Sequence, residues 1–412
     1  MIGSGAREHA LALRLLLDPS VDAVAVAPGN PGTAAVADQL DVEPLDGAAV
    51  ARVAAEWGAD LVVVGPEAPL VAGVADAVRA AGIACFGPSA QAAQLEGSKA
   101  FAKDVMAEAG VPTAMAHVCR TEAELDEAID ALGPPYVVKD DGLAAGKGVV
   151  VTDDRSLALA HGVAGLARGA GAVVVEEFLD GPEVSLFCLT DGTTVVPLAP
   201  AQDFKRLGDG DVGPNTGGMG AYSPLPWAPP SLAADVVERV AQPTVDAMRR
   251  RGTPFAGVLY VGLALTSRGP RVIEFNARFG DPETQVVLAR LRSPLGALLL
   301  AAATGGLADV PPLVWSAGAA VTVVVAAAGY PDAPRSGDRI TGLDAAAAVE
   351  GAIVLHAGTR ELDGDVVSAG GRVLSVVGVG ADVGAARATA YAAVELIGLD
   401  GGQSRSDIAA SL

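Results

Sequence analysis

The stretch IEFNARFGDPE, residues 273–283, says more about the fold and its chemistry than any other part of the chain. Its alternation of polar and apolar residues after a turn predicts a strand. Because successive strand side chains alternate between two faces, one face should carry a polar set: Glu274, Asn276 and Arg278. The opposite face should point into a core and carry Ile273, Phe275 and Ala277.

The polar set suits metal-assisted phosphoryl chemistry. Oxygen ligands such as Glu274 and Asn276 can hold Mg²⁺ on nucleotide phosphates, while Arg278 neutralises charge on a transferred phosphoryl group or an acyl phosphate. A solvent-exposed strand edge with a surface ion pair would show the same three residues. The other motifs of the chain must decide between the two interpretations.

Length and composition describe a globular protein of two to four lobes, since 412 residues with 51 Gly and 27 Pro allow several cores and many turns. The sequence has no basic start before an apolar stretch and no long apolar run, so we expect a cytoplasmic protein without a membrane partner. The net charge of −21 argues against nucleic acid as a partner but permits a local basic pocket. The widely spaced cysteines are expected to be buried free thiols: Cys85, Cys119 and Cys188.

The first hundred residues alternate short apolar strands with helices, the pattern of a parallel doubly wound sheet whose ligands lie where strands end. Strands are predicted at Val21–Ala27, Leu61–Val64 and Ile83–Phe86, and helices at Glu8–Leu17, Ala48–Glu56 and Leu70–Ala80. Met1-Ile2 runs directly into GSGAREHA, so most of a first strand is missing from the sequence given. Either the start of the chain was assigned too late, or this lobe lacks part of a central strand.

From Ser98 the pattern changes to helices followed by strands around Gly-rich turns, and a small α+β lobe follows from about Ala317. Between them, Gln202–Pro226 is predicted to be a long loop without regular structure, and such loops are commonly functional. A single helix is predicted over Ser231–Arg251. The fold class is α/β together with α+β.

The segment KDDGLAAGKG, residues 139–148, places two lysines around a Gly-rich turn between strands. Glycine amides can approach phosphate oxygens, and lysine supplies charge. A strand follows instead of a helix, so the segment is no P-loop. A plain turn with surface lysines remains the alternative, but the position favours a flap over a nucleotide.

Two further segments favour binding. In VVVEEFLDGPE, residues 173–183, the strand end can offer backbone groups to adenine, and Glu183 can accept hydrogen bonds from ribose hydroxyls; an ordinary turn is the alternative. The loop QDFKRLGDGDVGPNTGGMGAYSP, residues 202–224, is charged and Gly-rich, which suits close approach to a ligand and is poor core material.

The start of the chain offers a third binding segment. Gly3-Ser4-Gly5-Ala6-Arg7-Glu8 opens a helix, whose N-terminal amides attract phosphate. It departs from GxGxxG, and no acidic residue closes the next strand, so an NAD site is disfavoured. Asn30 and Glu67 lie at neighbouring strand ends, as a sugar phosphate site would require, whereas His9 is expected to be a packed histidine.

Taken in order, these strings resemble the phosphoribosylamine–glycine ligases, ATP-grasp enzymes of purine biosynthesis. The resemblance covers nearly the whole chain through GSGAREHA, APGNPGT, VGPEAPL, FGPS, LEGSKAF, DGLAAGKGV, EEFLDG, QDFKR, GPNTGGMGAYSP, IEFNARFGDPETQ, AAAGYP, HAGT and GGRVL. It implies a doubly wound N-terminal lobe over 1–98, an ATP-grasp pair of lobes over 99–304 with a mobile flap lobe at about 112–183, and a C-terminal lobe over 305–412.

The resemblance also implies an activity: ATP phosphorylates the carboxylate of glycine, and the amine of 5-phosphoribosylamine attacks the glycyl phosphate. The implied metal, Mg²⁺ or Mn²⁺, would be bound by Glu274 and Asn276, and Arg278, Asp203 and Lys205 would be catalytic. The residues implied for ATP are Lys99, Lys139, Gly142, Gly146, Lys147, Gly148, Glu176, Glu177, Phe178, Leu179 and Glu183. Those implied for glycine and phosphoribosylamine are Gly3, Gly5, Arg7, Glu8, Asn30, Glu67, Asn215, Thr216, Gly217, Gly218, Met219 and Asp281. We expect a monomer.

Some residues depart from the family pattern. Asp140 stands where a small residue is expected and should need a partner if buried, and Phe204 replaces a histidine, so no general base is assigned there. Val258–Leu265 lacks a further acidic metal ligand. Two alternatives therefore accompany the ligase hypothesis: a sister ATP-grasp enzyme of purine biosynthesis, against which the PNTGGMGAYSP loop speaks, and a catalytically silent nucleotide-binding protein.

Overall fold

The structure, a computed structural model, describes residues 1–143, 148–168 and 171–411. Gly146 and Lys147, which were predicted to contact phosphates, lie outside these residues. The described chain forms the expected mixture of α/β and α+β units. None of its helices is long and apolar enough to cross a bilayer.

The N-terminal lobe is the predicted parallel sheet. Its strand order in space is Asp38–Gln39, Ala25–Pro28, Ile2–Gly3, Leu61–Val63 and Ala84–Phe86, and its helices are Ala6–Leu16, Pro31–Ala34, Gly47–Trp57, Glu67–Val71 and Val74–Ala80. The first strand is short, as expected, yet it occupies the centre, where Ile2 bridges to Val64. The helix predicted over Leu70–Ala80 was wrong in extent, because Gly73 adopts φ +86° and divides it.

The first half of the ATP-grasp region is a four-stranded antiparallel sheet covered by two helices. The strands are ordered Ala116–Cys119, Val173–Glu176, Tyr136–Asp140 and Val149–Thr152, and the helices are Glu122–Leu132 and Arg155–Ala167. This flap lobe has a core of its own, built around Val138, Leu125 and Ile129.

The second half is another four-stranded sheet, ordered Val195–Pro197, Glu183–Asp191, Ala256–Thr266 and Gly269–Asn276. Its helices are Gln94–Gly97, Lys99–Ala109, Leu232–Val236, Gln242–Arg250, Glu283–Arg290 and Leu295–Thr304, with a 3₁₀ turn at Leu307–Asp309. The single helix predicted over Ser231–Arg251 contains a π-helical turn, Val237–Ala241. Pro243 follows at once, and since proline has no N–H to donate, the regular α pattern is interrupted there.

The strand Gly269–Asn276 carries a β-bulge, which corrects one expectation. The register shifts between Gly262 and Leu263, whose partners are Glu274 and Val272. Ile273 is therefore the extra residue; it is only half-buried and lines the cleft beside Glu274, while Val272 takes the core position. Phe275 and Ala277 are buried as predicted.

The C-terminal lobe is a five-stranded antiparallel sheet ordered Gln202–Asp203, Gly220–Ser223, Ala319–Ala326, Arg372–Gly380 and Ala352–His356. Short hairpins pair Arg206–Gly208 with Val212–Asn215 and Thr359–Leu362 with Asp365–Ser368. Ile340–Thr341 pairs with the distant Gly398–Leu399, and the helices are Leu343–Ala347 and Val383–Val394. The prediction of an unstructured loop over Gln202–Pro226 was wrong, because four of these short strands lie within it. Tyr222 pairs with Val321, a partner that no local pattern can reveal.

One large core joins three of the lobes. It includes Val74 of the N-terminal lobe, Phe275 of the second ATP-grasp sheet, and Val321 and Ile408 of the C-terminal lobe. The flap lobe, with its separate core, is attached at the side. The predicted domain limits stay a prediction, but the sheet of the C-terminal lobe takes strands from residues 202–223 and thus crosses the predicted limit at 304.

Gly378 gives a test of the packing in the C-terminal lobe. A Cβ there would overlap the backbone oxygen of Ala386 and nitrogen of Ala390, so the helix Val383–Val394 rests directly on this glycine. We expect Gly378→Ala to lower the free energy of unfolding by about 3 kcal/mol, as overpacking does. Chemical denaturation measures the loss.

The matched control is Gly384→Ala, within the same helix. Its nearest contact is Asp382 Oδ1 at 3.4 Å, so alanine fits and should favour the helix. Equal denaturation midpoints for the two variants would contradict the packing described here.

Candidate active site

A cleft of about 800 Å³ lies between the lobes and gathers most of the predicted site residues. Those that line it are Arg7, Glu67, Lys99, Lys139, Gly142, Gly148, Glu176, Glu177, Phe178, Leu179, Glu183, Asp203, Lys205, Asn215, Thr216, Gly217, Glu274, Asn276, Arg278 and Asp281. Six predicted residues are not in its wall: Gly3, Gly5, Glu8, Asn30, Gly218 and Met219. The polar side chains of three sheets thus converge on one cavity.

One end of the cleft holds lysines. The Nζ atom of Lys139 lies 2.9 Å from Glu176, which also pairs with Lys103 at 3.2 Å, and all three side chains are at most 10% exposed. The Nζ of Lys99 donates to the carbonyl oxygen of Gly142 at 3.0 Å. Burying an unpaired carboxylate costs free energy, and the two lysines that pair with Glu176 offset that cost.

Glu274 faces these lysines from the bulged strand. Burial by itself would raise its pKa, but the nearby ammonium groups, Lys205, Lys139 and Lys99 in order of effect, outweigh burial and hold the pKa of Glu274 below its usual value. Within the described ranges, neither Glu274 nor Asn276 has a side-chain hydrogen-bond partner. An ionised carboxylate and an amide oxygen without partners in a polar cleft fit a hard divalent cation.

The donor set is small. In residues 1–143, 148–168 and 171–411 no three His, Cys, Asp or Glu side chains are grouped to hold a metal ion. Glu274 and Asn276 would therefore leave most coordination positions to substrate oxygens and water.

Glu177 lies at the end of the strand Val173–Glu176 and fastens the flap lobe to the second sheet. Its carboxylate pairs with Arg271 at 2.7 Å and accepts from the amide of Met115 at 3.2 Å. The adjacent Phe178 is 49% exposed in the cleft wall. The carboxylate of Glu177 is thus engaged in holding the two lobes together, while Phe178 offers a free apolar surface.

Arg278 is already neutralised within the protein. Its guanidinium pairs with Glu67 at 3.1 Å and with Glu96 at 3.3 Å, and it donates to the carbonyl oxygen of Phe279. Glu96 also accepts from the amide of Ala277 at 2.7 Å. The arginine therefore carries little unbalanced charge, although the sequence analysis assigned it to neutralising charge on a phosphoryl group or an acyl phosphate.

A second charged part of the cleft wall contains Asp281 with two arginines. Burial would raise the pKa of Asp281, but Arg372 and Arg7 lower it below its usual value. Arg372 donates to the backbone oxygens of Asp281, at 2.7 Å, and Gly217. It thereby joins the PNTGGMG segment to the turn after the strand Gly269–Asn276.

Asp203 and Lys205 form a third charged part of the cleft wall. Lys205 pairs closely with Glu183 and lies 3.8 Å from Asp203. Burial raises the pKa of Asp203 to about 7 despite Lys205. Burial would lower the pKa of Lys205, but Asp203 and Glu183 outweigh it, so Lys205 stays charged.

The N-terminal turn is organised by its own side chains. Glu8 accepts from the amide of Gly5 at 2.7 Å and pairs with Arg7 at 2.6 Å. Asn30 accepts from the amide of Thr33 and donates to the backbone oxygens of Ser4 and His356. Of this group, only Arg7 reaches the cleft wall.

The two substitutions noted in the sequence are both accommodated. Asp140 is buried and pairs with Arg168 at 2.6 Å, so the partner that it was expected to need is present. Phe204 stacks under the guanidinium of Arg405, 5.0 Å from ring centre to Cζ.

Sequence reasoning missed several charged residues of the cleft wall: Glu96, Lys103, Glu283 and Arg372. Two of them could have been inferred from the sequence. Lys103 is one helical turn from Lys99, and Glu283 is the last residue of IEFNARFGDPE. Arg372 belongs to the GGRVL string, but nothing local indicates that it reaches Asp281.

Asp203 gives a test by pH. Its pKa is about 7 in the folded protein and 3.8 ordinarily, so the folded state binds more protons between these values. The free energy of unfolding should therefore fall as pH rises from about 4 to about 7, by up to about 1.4 kcal/mol per pH unit from this group. Asp203→Asn cannot ionise and should lack this contribution.

Denaturation of both proteins across that range measures the difference between their unfolding free energies. The free energy of unfolding of the variant should rise relative to that of the parent as pH rises. A difference that stays constant from pH 5 to pH 7.5 would show that the carboxyl is not held protonated.

Comparison with known proteins identifies the family. Models of the three phosphoribosylglycinamide synthetase domains match in order: the N domain at residues 1–96, the ATP-grasp (A) domain at 97–284 and the C domain at 320–411. A phosphoribosylamine–glycine ligase of Streptomyces coelicolor is 69% identical over 100% of this chain and 98% of its own length. One of Mycobacterium tuberculosis is 62% identical over 99% of this chain and 96% of its own.

Solved structures lead to the same family. A crystal structure of phosphoribosylamine–glycine ligase from Thermotoga maritima has a TM-score of 0.85 and 35% identity, covering 99% of this chain and 98% of that one. The biotin carboxylase of Campylobacter jejuni, at 15% identity and a TM-score of 0.74 over 98% of this chain and 92% of its own, shares the fold. The chain belongs to the phosphoribosylamine–glycine ligase family.

Proposed function

We propose that this protein uses ATP to join glycine to 5-phosphoribosylamine, giving glycinamide ribonucleotide, ADP and phosphate. One observation carries the proposal: a single cleft contains Glu274 beside lysines, its carboxylate without a hydrogen-bond partner in the described residues, and also Asp281 beside Arg7 and Arg372. Two anionic substrates can therefore bind in one cavity, which a ligation of this kind requires.

The lysine end suits ATP. Lys139 and Lys99 would contact its phosphates, together with the glycines of the flap turn, and Glu176–Leu179 with Glu183 would contact the adenosine. The exposed face of Phe178 can pack on a base. Glu274 and Asn276 would bind Mg²⁺ or Mn²⁺. That ion, when bound, supplies positive charge that offsets charge on the phosphate oxygens.

Glycine would bind near Lys205 and Asp203. Lys205 keeps its positive charge, so it can attract the carboxylate and stabilise the acyl phosphate formed from it. Arg278 would orient this region through Glu67 and Glu96 more than by free charge.

Phosphoribosylamine would bind at the end formed by Arg7, Glu67 and Asp281, with Asn215–Met219 of the loop beside it. Arg372 adds a cation that the sequence did not suggest for this site. The turn that carries Arg7 would be held in place by residues that do not line the cleft: Gly3, Gly5, Glu8 and Asn30.

The chemistry needs no protein nucleophile. A carboxylate oxygen of glycine attacks the terminal phosphorus of ATP and ADP leaves; the substrate amine then attacks the acyl carbon, phosphate leaves, and the nitrogen loses a proton. The protein contributes positioning, charge and exclusion of water. Consistently, the buried cysteines have pKa values at or above about 11, so their thiols stay protonated: Cys85, Cys119 and Cys188. We expect the enzyme to act in the cytoplasm as a monomer.

Substrate dependence tests the activity. The protein is incubated with ATP, Mg²⁺, glycine and freshly made phosphoribosylamine, and ADP is measured. We expect sustained ADP release only when both glycine and the amine are present, because turnover needs the amine to consume the acyl phosphate. ATP binding without turnover would identify a silent nucleotide-binding protein instead.

Glu274→Ala tests the metal assignment. Loss of the unpartnered carboxylate should reduce kcat/KM by about 100-fold or more, as removal of a charge-stabilising group does. The melting temperature should change little, because the side chain of Glu274 makes no hydrogen bond within the described chain and its backbone pairing with Gly262 is unaffected.

The control is Glu56→Ala, which removes a carboxylate that is 64% exposed and paired only with Arg52 in the N-terminal lobe. It should retain full activity. If Glu274→Ala is also fully active at ordinary Mg²⁺ concentration, Glu274 is not a metal ligand.

A further inference from the structure

A small hairpin, made of Arg206–Gly208 and Val212–Asn215, forms part of the cleft rim. We call it the rim hairpin. Three of its residues line the cleft: Arg206, Asp211 and Asn215. Its two strands pair only with each other in the described chain, and an isolated two-stranded hairpin is marginally stable in water. Other contacts must therefore hold it in place.

Arg405 provides the main contact. Its side chain is 1% exposed, and one guanidinium nitrogen lies 2.6 Å from Asp211 while donating to the carbonyl oxygen of Arg206 at 3.2 Å. The other two nitrogens bind both carboxylate oxygens of Asp407, each at 2.7 Å. The guanidinium plane also lies over the ring of Phe204, next to Asp203 and Lys205 in the chain.

A second contact holds the tip of the rim hairpin. Asp209 accepts from the amide of Ser406 at 2.8 Å and from its hydroxyl, and the amide of Gly210 donates to Asp407 at 2.8 Å. The hairpin and residues 405–407 therefore bind each other through side chains and backbone amides in both directions.

Residues 403–408 are in turn fixed to the C-terminal lobe. The backbone of Gln403 pairs with Ala326 in both directions at 2.8 Å. Tyr391 donates to the carbonyl oxygen of Arg405 at 2.8 Å, and Ile408 is fully buried in the main core. Residues 403–408 are thus fixed in place and hold the rim hairpin.

We propose that Arg405 is a positioning residue for the reaction, which holds the rim hairpin and Phe204 where Asp203 and Lys205 can bind glycine. The role in glycine binding rests on the proposed function, whereas the contact between Arg405 and the rim hairpin does not. Arginine suits this role because its planar group binds two carboxylates and stacks on an aromatic ring at once, which lysine cannot do. Phe204 supplies the ring.

Hydrogen–deuterium exchange tests the support without any substrate. Two variants are compared with the parent: Arg405→Lys, and Asp209→Asn, which changes only a surface group. In both, the amides of residues 206–215 should exchange about tenfold faster than in the parent. Asp209→Asn also covers the case in which Arg405→Lys does not fold. Exchange unchanged in a folded variant would overturn the proposal.

Asp400→Asn is the matched control. It removes an exposed carboxylate from an arginine pair, with Arg335 at 2.7 Å, close in sequence to the supporting segment but without a contact to the rim hairpin. Its exchange pattern over residues 206–215 should equal that of the parent. Acceleration in this control as well would mean that the effect is not specific to the support, and would overturn the proposal.

Kinetics test the link to the reaction. Both support variants should raise the KM for glycine by about five- to tenfold and leave the KM for ATP and kcat within about twofold, because a loosened rim weakens binding without removing a reacting group. Faster exchange with an unchanged KM for glycine would overturn the positioning role. If the parent shows no ligase activity, the proposed function fails, while the exchange measurement still decides whether Arg405 supports the hairpin.

Discussion

The antiparallel pairing of Gly220–Ser223 with Ala319–Ala326 is the interaction on which the arrangement of the site depends. It converts what would be a long loop into the edge of the C-terminal sheet. Because of it, the segment from Asp203 to Gly217 leads into the same sheet as the strand that carries Arg372, with Ala319–Ala326 between them, and both segments reach the cleft. With a different register, the same residues would be in the segment but would not be placed at the cleft.

Charge balance is the second constraint on the cleft. Several buried carboxylates there are matched by nearby cations: Glu176 by two lysines, Glu96 by Arg278, and Asp281 by Arg372 and Arg7. Unpaired buried charge is costly, so these pairs make the cleft compatible with folding in the absence of substrate. Glu274 differs because lysines hold it ionised from a distance and leave its oxygens free for a ligand.

Local patterns in the sequence predicted much of this fold and most of the cleft wall. The alternating first hundred residues indicated the parallel sheet, and the polar residues Glu274 and Asn276 indicated the cleft, because both signals lie within one element. Patterns could not show the bulge that turns Ile273 into the cleft, since a bulge depends on the partner strand. They also could not show that Glu67 and Glu96 would neutralise Arg278, because these residues are about 180 to 210 positions apart in sequence and meet only after the sheets assemble.

Ile408 has a consequence for the order in which the molecule can assemble during synthesis. Its side chain fills space directly against Gly220, in the core that joins three lobes. On a ribosome adding about 5–20 residues per second, the interval between these two residues is about 10 to 40 seconds. The N-terminal sheet and the flap lobe can fold within that time, but the strand Gly220–Ser223 emerges long before the residues that cover it. For that interval its apolar face must remain exposed or be shielded by another protein, so nascent chains should be more prone to aggregation than the finished enzyme.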